Sequence, residues 1–216
     1  MKIACCSDMH SNLDFAIKES DILLIAGDIL PAYRDSYLSI NIQNNFLKDK
    51  FYPWIEDQPV NDVVFIAGNH DWIFDSSFDI PPMPSKLHYL CDNEITISGL
   101  RIYGTPQQPI FLNWAFNKTE EQLQRYFDNI PLGLDILLSH TSPYKIMDKV
   151  NLKNRKGHFG CMSLKNRIDK IKPRYVVFGH FHDNYGKIEQ DGITYINCSL
   201  LNESYKMTKE PIYIEV

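Results

Sequence analysis

Seven histidines stand among 216 residues, and most of them follow a short apolar run. The stretch "VVFGHFHDN" at 176–184 ends its run on His180 and His182. "KIACCSDMH" at 2–10 ends on Asp8 and His10, and "DILLIAGD" at 21–28 on Asp28. "DVVFIAGNHD" at 62–71 ends on Asn69, His70 and Asp71, and "DILLSH" at 135–140 on His140. An HxH pair alone says little, because histidine is both the commonest metal ligand and a common surface residue. Five runs that all stop on carboxylate, amide or imidazole say more, since clustering so many Asp and His without a cation is costly. Oxygen and imidazole donors with no thiolate among them suit Mn, Fe, Ni or Zn better than a cysteine-rich structural zinc, and manganese is the first expectation. Two divalent ions about 3.5–4 Å apart could share a carboxylate, hold a phosphate and stabilise the attacking and leaving oxygens. Asp28, alone on its strand end, is the best bridge between them. Gly27, Gly68 and Gly179, just ahead of these donors, allow close backbone approach.

The elements that must position these residues follow from the same runs. Each run has the length and continuous apolarity of a strand buried on both faces. Helices are expected after Asn12 and across 36–50, 119–128 and 163–172, the third with a capping box of Thr119 and Gln122. "EITISGLRIYGT" and "NYGKIEQDGITYINCS" read as hairpins, Asp191-Gly192 supplying the second turn, and "PIYIEV" as a half-exposed strand. The expected fold is therefore α/β, two packed sheets flanked by helices, in a single domain spanning 1–216.

Composition is ordinary for a globular chain, with 44% hydrophobic residues, 23% charged residues and a net charge of −5. That balance offers no broad electrostatic grip on duplex nucleic acid or an anionic membrane. No run approaches the roughly 20 apolar residues of a membrane span, and the opening lacks a signal peptide's long apolar region. Five cysteines without CxxC spacing argue against a disulfide framework and for a reducing, cytoplasmic setting. Oligomeric state is not legible.

The ordered set DxH at 8–10, GD at 27–28, GNHD at 68–71, His140 and GHxH at 179–182 resembles the calcineurin-like metallophosphoesterases. Within them, "GTPQQPIFLNWAFN" at 104–117, "HFGCMSLKNRI" at 158–168 and "GHFHDNYG" at 179–186 are similar to the MPPED subfamily of metal-dependent phosphodiesterases. The resemblance implies a two-layer β-sandwich flanked by helices, with a metal site at the strand ends. It implies one divalent ion on Asp8, His10 and His182, another on Asn69, His140 and His180, and Asp28 between them. His70 would protonate the leaving oxygen, Asp71 would orient the His70 ring, and a metal-bound hydroxide would attack phosphorus. Two departures stand out. "HTSPY" at 140–144 replaces the more usual HGPP, which leaves substrate choice open there, and "ILPAYRDS" at 29–36 lacks the basic signature of serine/threonine protein phosphatases.

The expected activity is dinuclear hydrolysis of a small nucleotide or other organic phosphodiester. A phosphomonoesterase, a nuclease and a scaffold without catalysis are the rivals. The complete ligand set weighs against the scaffold, and the acidic balance against the nuclease. Asn12 reads as a helix cap or a phosphate contact, His158 equally as substrate contact or surface residue, and His88 as structural. Trp114 and Phe116 read as core before base-stacking platforms, and Cys5, Cys6 and Cys198 as small buried hydrophobes. Cys161 has no activating neighbour in sequence that would make it a catalytic thiol.

Overall fold

The computed structural model describes residues 1–31, 36–76, 78–152 and 155–216, so positions 32–35 of the "ILPAYRDS" segment lie outside the described residues. In chain order the first half carries β1 (Lys2–Cys6), β2 (Ser20–Ala26), α1 (Ser36–Phe46), α2 (Tyr52–Asp57), β3 (Val60–Ile66), β4 (Leu87–Tyr89), β5 (Asn93–Ile97) and β6 (Leu100–Thr105). Then follow β7 (Gln108–Pro109), β8 (Asn117–Lys118), α3 (Glu120–Asp128), β9 (Ile136–Ser139), β10 (Lys149–Leu152), β11 (Arg155–His158) and α4 (Met162–Ile171). The chain closes with β12 (Tyr175–Phe178), β13 (Gly186–Gln190), β14 (Ile193–Asn197) and β15 (Ile212–Glu215).

Two sheets form the body. One has the order β15-β1-β2-β3-β4, parallel except for β15, and the other the order β13-β14-β12-β9-β6-β5. In the second sheet β14, β12, β9 and β6 are parallel, and hairpins add the antiparallel edges β13 and β5. Both hairpin turns, Ser98-Gly99 and Asp191-Gly192, hold positive φ at their two central residues, which matches the twist of the strands they join.

Period-two alternation explains the uninterrupted apolar runs. Ile3, Cys5 and Leu24 point between the sheets at Ile102, Leu138 and Val177. The intervening Ala4, Leu23 and Val63 pack outward on Leu47, Phe51 and Ile55, while Leu137, Val176 and Tyr195 pack on Leu123, Phe127, Leu164 and Ile168. The layers are thus helix, sheet, sheet, helix, with apolar cores on both faces of each sheet.

Local signals behave as their chemistry requires, with two exceptions. Thr119 Oγ1 accepts from Gln122 N and Gln122 Oε1 from Thr119 N, closing the expected capping box. The helix foreseen over 36–50 instead continues to Asp57 through a widened π turn, Leu47–Phe51, just before Pro53, which has no N–H for the ladder. No helix follows Asn12. Its Oδ1 accepts from Asp14 N at 3.0 Å, so its side chain closes a local turn. The β10–β11 ribbon was not legible, since its mostly polar residues carry no burial pattern. No helix among the described residues is long and apolar enough to cross a membrane.

Parallel strands of one sheet end on the same edge, and here the ends of both sheets meet. Ser7 N donates to Cys198 O and Leu200 N to Ser7 O, each at 3.0 Å, stitching β1 of one sheet to the end of β14 of the other. Gly179 N donates to His140 O at 3.1 Å and ties the exits of β12 and β9 together. All five polar run-ends of the sequence are therefore brought to one rim.

Candidate metal centre

Asp28 lies at the middle of this rim. Its Oδ2 stands 3.5 Å from His140 Nε2, 3.6 Å from His10 Nε2 and 3.9 Å from His70 Nε2, while its Oδ1 accepts from His70 N at 2.8 Å. Asp8, fully buried, accepts from His180 N, from Ser199 Oγ at 2.7 Å and from Ser7 Oγ, and faces His182 Nε2 at 3.4 Å. His140 is held at both nitrogens: Nδ1 donates to Ala26 O at 2.8 Å, and Nε2 meets Asn69 Oδ1 at 3.0 Å. His182 Nδ1 donates to Asn202 O at 3.1 Å. A carbonyl on the far nitrogen fixes the tautomer that leaves Nε2 facing the site, the usual support of a metal-ligating imidazole.

His180 and His182 do not sit in a strand, where residues i and i+2 would share a face. β12 ends at Phe178, His180 takes a left-handed φ of 66°, and His182 opens a short 3₁₀ turn. The rings consequently part. His182 joins Asp8 and His10, whereas His180 stands edge-on to His140 with centroids 5.1 Å apart. Asp8, His10 and Asp28 also have left-handed φ values, 54°, 44° and 52°, a costly backbone for side chains that clusters where function holds it in place.

Charge in the cluster is shared unevenly. Burial pushes the Asp28 carboxyl up, but His140, His70 and His10 together outweigh it and hold it well below the ordinary carboxylate value. Asp8 is likewise held low against burial, chiefly by His182. Burial alone would lower His140 and His182, yet Asp28 lifts the former and Asp8 the latter to about 9. Burial dominates at His10, pushed down to about 4, and at His180, pushed down to about 3 with His140 adding to the effect.

The donor set fits divalent cations. Both ring nitrogens of His10 and Nδ1 of His70 are buried with no hydrogen-bond partner among the described residues. Three groups of ligand atoms, Asp8–His10–His182, His10–Asp28–His70 and Asp8–Asp28–His140, each lie within 4.8 Å of one another. Bare imidazole nitrogens beside two buried carboxylates are what a cation would satisfy.

Asp71 departs from its expected role. Its carboxylate accepts from Gly68 N at 2.7 Å, Leu30 N at 2.9 Å and Ile29 N at 3.2 Å, and so does not hold the His70 ring. Nor does it cap the turn that follows it. Burial and the nearby Asp28 push Asp71 up to about 7 in spite of those amides. Its work is to tie the loop after β2, which carries Asp28, to the loop after β3, which carries Asn69 and His70. The His70 ring is instead backed by Trp114, centroids 4.1 Å apart. Of the "NWAF" cluster only Phe116 and Ala115 are core, and Trp114 is half-buried against the site.

Sequence reasoning missed Ser7 and Ser199 on Asp8, and Tyr205, whose ring lies 4.8 Å from His10 and 5.5 Å from His182. Hydroxyls and a lone tyrosine have no spacing signature, so nothing in the chain announced them. His158 Nδ1 pairs with the buried Asp148 at 2.5 Å, and His88 with Asp62 at 2.8 Å; both are structural contacts.

A close approach at Gly179 makes one result predictable. A Cβ there would overlap Ser7 Oγ and the Asp8 carboxylate. Gly179→Ala must displace Asp8, and metal affinity is expected to fall on the order of 10–100-fold, as it does when support around a ligand is lost. Titration of the metal-stripped variant checks this, and wild-type affinity would show that Asp8 is not needed for binding.

The calcineurin-like phosphoesterase family profile matches residues 1–184. Metallophosphoesterase domain-containing protein 1 of Homo sapiens is 33% identical over all of this chain and 71% of its own length. A UPF0046 protein of Caenorhabditis elegans is also 33% identical, over 91% of this chain and 54% of its own length. A crystal structure from Thermus thermophilus superposes with a TM-score of 0.57 at 12% identity, covering 91% of this chain and 88% of that one.

Proposed function

Because the chain belongs to the calcineurin-like phosphoesterase family, we propose that it is a dinuclear metal-dependent phosphodiesterase acting on a small organic diester. The observation that carries this reading is the convergence on Asp28 of three imidazoles, with His10 hydrogen-bonded at neither nitrogen among the described residues. Asp8, His10 and His182 would hold one divalent ion and Asn69, His140 and His180 the other, with Asp28 common to both. Such ions, manganese first among Mn, Fe, Ni and Zn, supply positive charge for the phosphate oxygens and activate a water for attack. His70 carries a proton on its ring and passes it to the leaving oxygen. Trp114 keeps that ring in place.

Preference for a diester is supported by the lining of the cavity, about 180 Å³, that opens over these residues. Apart from the ligands and His70 it is walled by Phe111, Val150, Phe181, Glu203 and Tyr205, with no Lys or Arg among the described lining residues. A monoester dianion would bring more negative charge beside Glu203 and only one organic group to a cavity that has both an apolar wall and a polar one. A diester brings one charge and a second organic group for the other wall. The aromatic side chains also favour a nucleotide among possible diesters. Five free cysteines, four of them buried, support a reducing cytoplasmic location, and residues 1–216 are read as one domain.

The test compares a simple diester with its matching monoester across Mn, Fe, Ni and Zn, scored as rate per metal-loaded site. Protein stripped by chelator is expected to be inactive and to recover with manganese, and diester rates are expected to exceed monoester rates. Hydrolysis that persists in excess chelator would sink the metal mechanism, and a monoester preference would transfer the protein to the rival activity.

A further inference from the structure

Two cavities of opposite character adjoin the metal-site cavity. One, about 160 Å³, is lined by Pro109, Ile110, Phe111, Thr141, Phe159 and Phe181 and is joined to the site through His180. Phe111, His180 and Phe181 border both spaces. The other, about 300 Å³, shares Val150, Phe181 and Glu203 with the site and continues along Lys149, Asn151, Asp183 and Asn184.

The first cavity has the chemistry of a slot for an aromatic group. Three phenylalanines, a proline and an isoleucine bound it, and Thr141 is the one hydroxyl among its described lining residues. Phe181 lies edge-on to His180 with centroids 4.9 Å apart, and Phe111 does so at 6.4 Å, so the phenyl walls reach the metal-site imidazole itself. Ile110 beside them is 62% exposed and Leu112 is 70% exposed, so apolar surface stands open at its mouth. The second cavity offers both signs of charge and two amides, which suit hydroxyls and other hydrogen-bonding groups.

We infer that the substrate is an unsymmetrical phosphodiester: a planar apolar ester group seats among Phe111, Phe159 and Phe181, and a polar ester group runs past Val150 toward Lys149 and Glu203. This rests on the phosphodiesterase reading and adds to it the identity of the two arms. Phosphorus then lies between the cavities, at the imidazoles and Asp28, and the site sorts the arms by polarity. A phenyl-sized group in an apolar slot is distinguished from a methyl by a factor on the order of ten to a few hundred.

The experiment measures binding first, on the manganese-loaded 216-residue chain by calorimetry. The probes are the pair benzyl(3-hydroxypropyl)phosphinate and methyl(3-hydroxypropyl)phosphinate, whose two arms are both held by P–C bonds that cannot be hydrolysed, with a cyclohexylmethyl version to test planarity. The benzyl probe is expected to bind at least about tenfold more tightly than the methyl one, and the cyclohexylmethyl probe less tightly than the benzyl. Phe111→Ala and Phe159→Ala, either sufficing should the other fail to fold, are expected to bring the benzyl-to-methyl ratio close to one. Equal binding of benzyl and methyl probes to the wild type, or a ratio untouched by both substitutions, would overturn the slot; a cyclohexylmethyl probe binding as tightly as benzyl would overturn its planarity. The corresponding phosphates, whose benzyl and methyl alcohols are similar leaving groups, separate the two readings. Benzyl-selective binding without hydrolysis overturns the phosphodiesterase and leaves the slot, whereas hydrolysis of both diesters with equal binding overturns the slot alone.

Discussion

Asp28→Asn is expected to drop turnover on the order of a thousandfold or more and to reduce bound metal from two per chain to one or none. Asparagine keeps the volume and an oxygen for His70 N, which Asp28 Oδ1 now accepts at 2.8 Å, so the loop is expected to hold its shape. What it loses is the negative charge that stands within 3.9 Å of three imidazoles. Metal-supplied charge stabilisation amounts to several kcal/mol, and about 1.4 kcal/mol corresponds to a tenfold change in rate. Three lost decades are therefore the scale to expect when the shared carboxylate is gone. Metal analysis after gel filtration, paired with initial rates, reads both quantities on one sample. A variant that still holds two ions and turns over within tenfold of the wild type would remove Asp28 from the bridging position.

That expectation depends on a residue whose position at a strand end was legible in the sequence, and the reason is physical. Strands buried on both faces write themselves as unbroken apolar runs, and the first one or two polar residues after each run must lie where the strand leaves the core. Asp8, Asp28, Asn69, His140 and His180 were legible for that cause, as were the flanking helices and the Asp191-Gly192 hairpin. Asp71 was not. Adjacency in "GNHD" suggested a partner for His70, but the carboxylate turns to amides at 29, 30 and 68, two of them supplied by a neighbouring strand's loop. Contacts between loops that are distant in sequence carry no periodicity. The same holds for Ser199 on Asp8 and for Tyr205 over His10, which meet the site only because β14 ends beside β1. The absent helix after Asn12 has a different cause: the Asn12 side chain satisfies the amide of Asp14 locally, and the chain returns to β2 as a loop.

His70 carries the second large effect, and its position admits two roles that one substitution separates. Its Nε2 lies 3.9 Å from Asp28 and falls within a possible ligand triad with His10 and Asp28. Its Nδ1 is buried with no hydrogen-bond partner among the described residues, its ring lies tilted against Trp114, and the residue lines the cavity where a phosphate would sit. Burial lowers its proton affinity and outweighs the nearby Asp28, so the neutral ring is favoured at rest near pH 7. An arriving phosphate anion shifts that balance back toward the protonated ring, because a negative charge close by favours imidazolium. A proton taken up with the substrate is then available to the leaving oxygen. His70→Ala is accordingly expected to lower kcat by about a hundredfold to ten-thousandfold, the range of general acid–base catalysis, while bound metal stays at two per chain. The loss should be smaller for diesters with acidic leaving alcohols, which need little protonation as they depart. A uniform loss across leaving groups, or metal content falling with the rate, would make His70 a ligand and return the proton-donor role to another group.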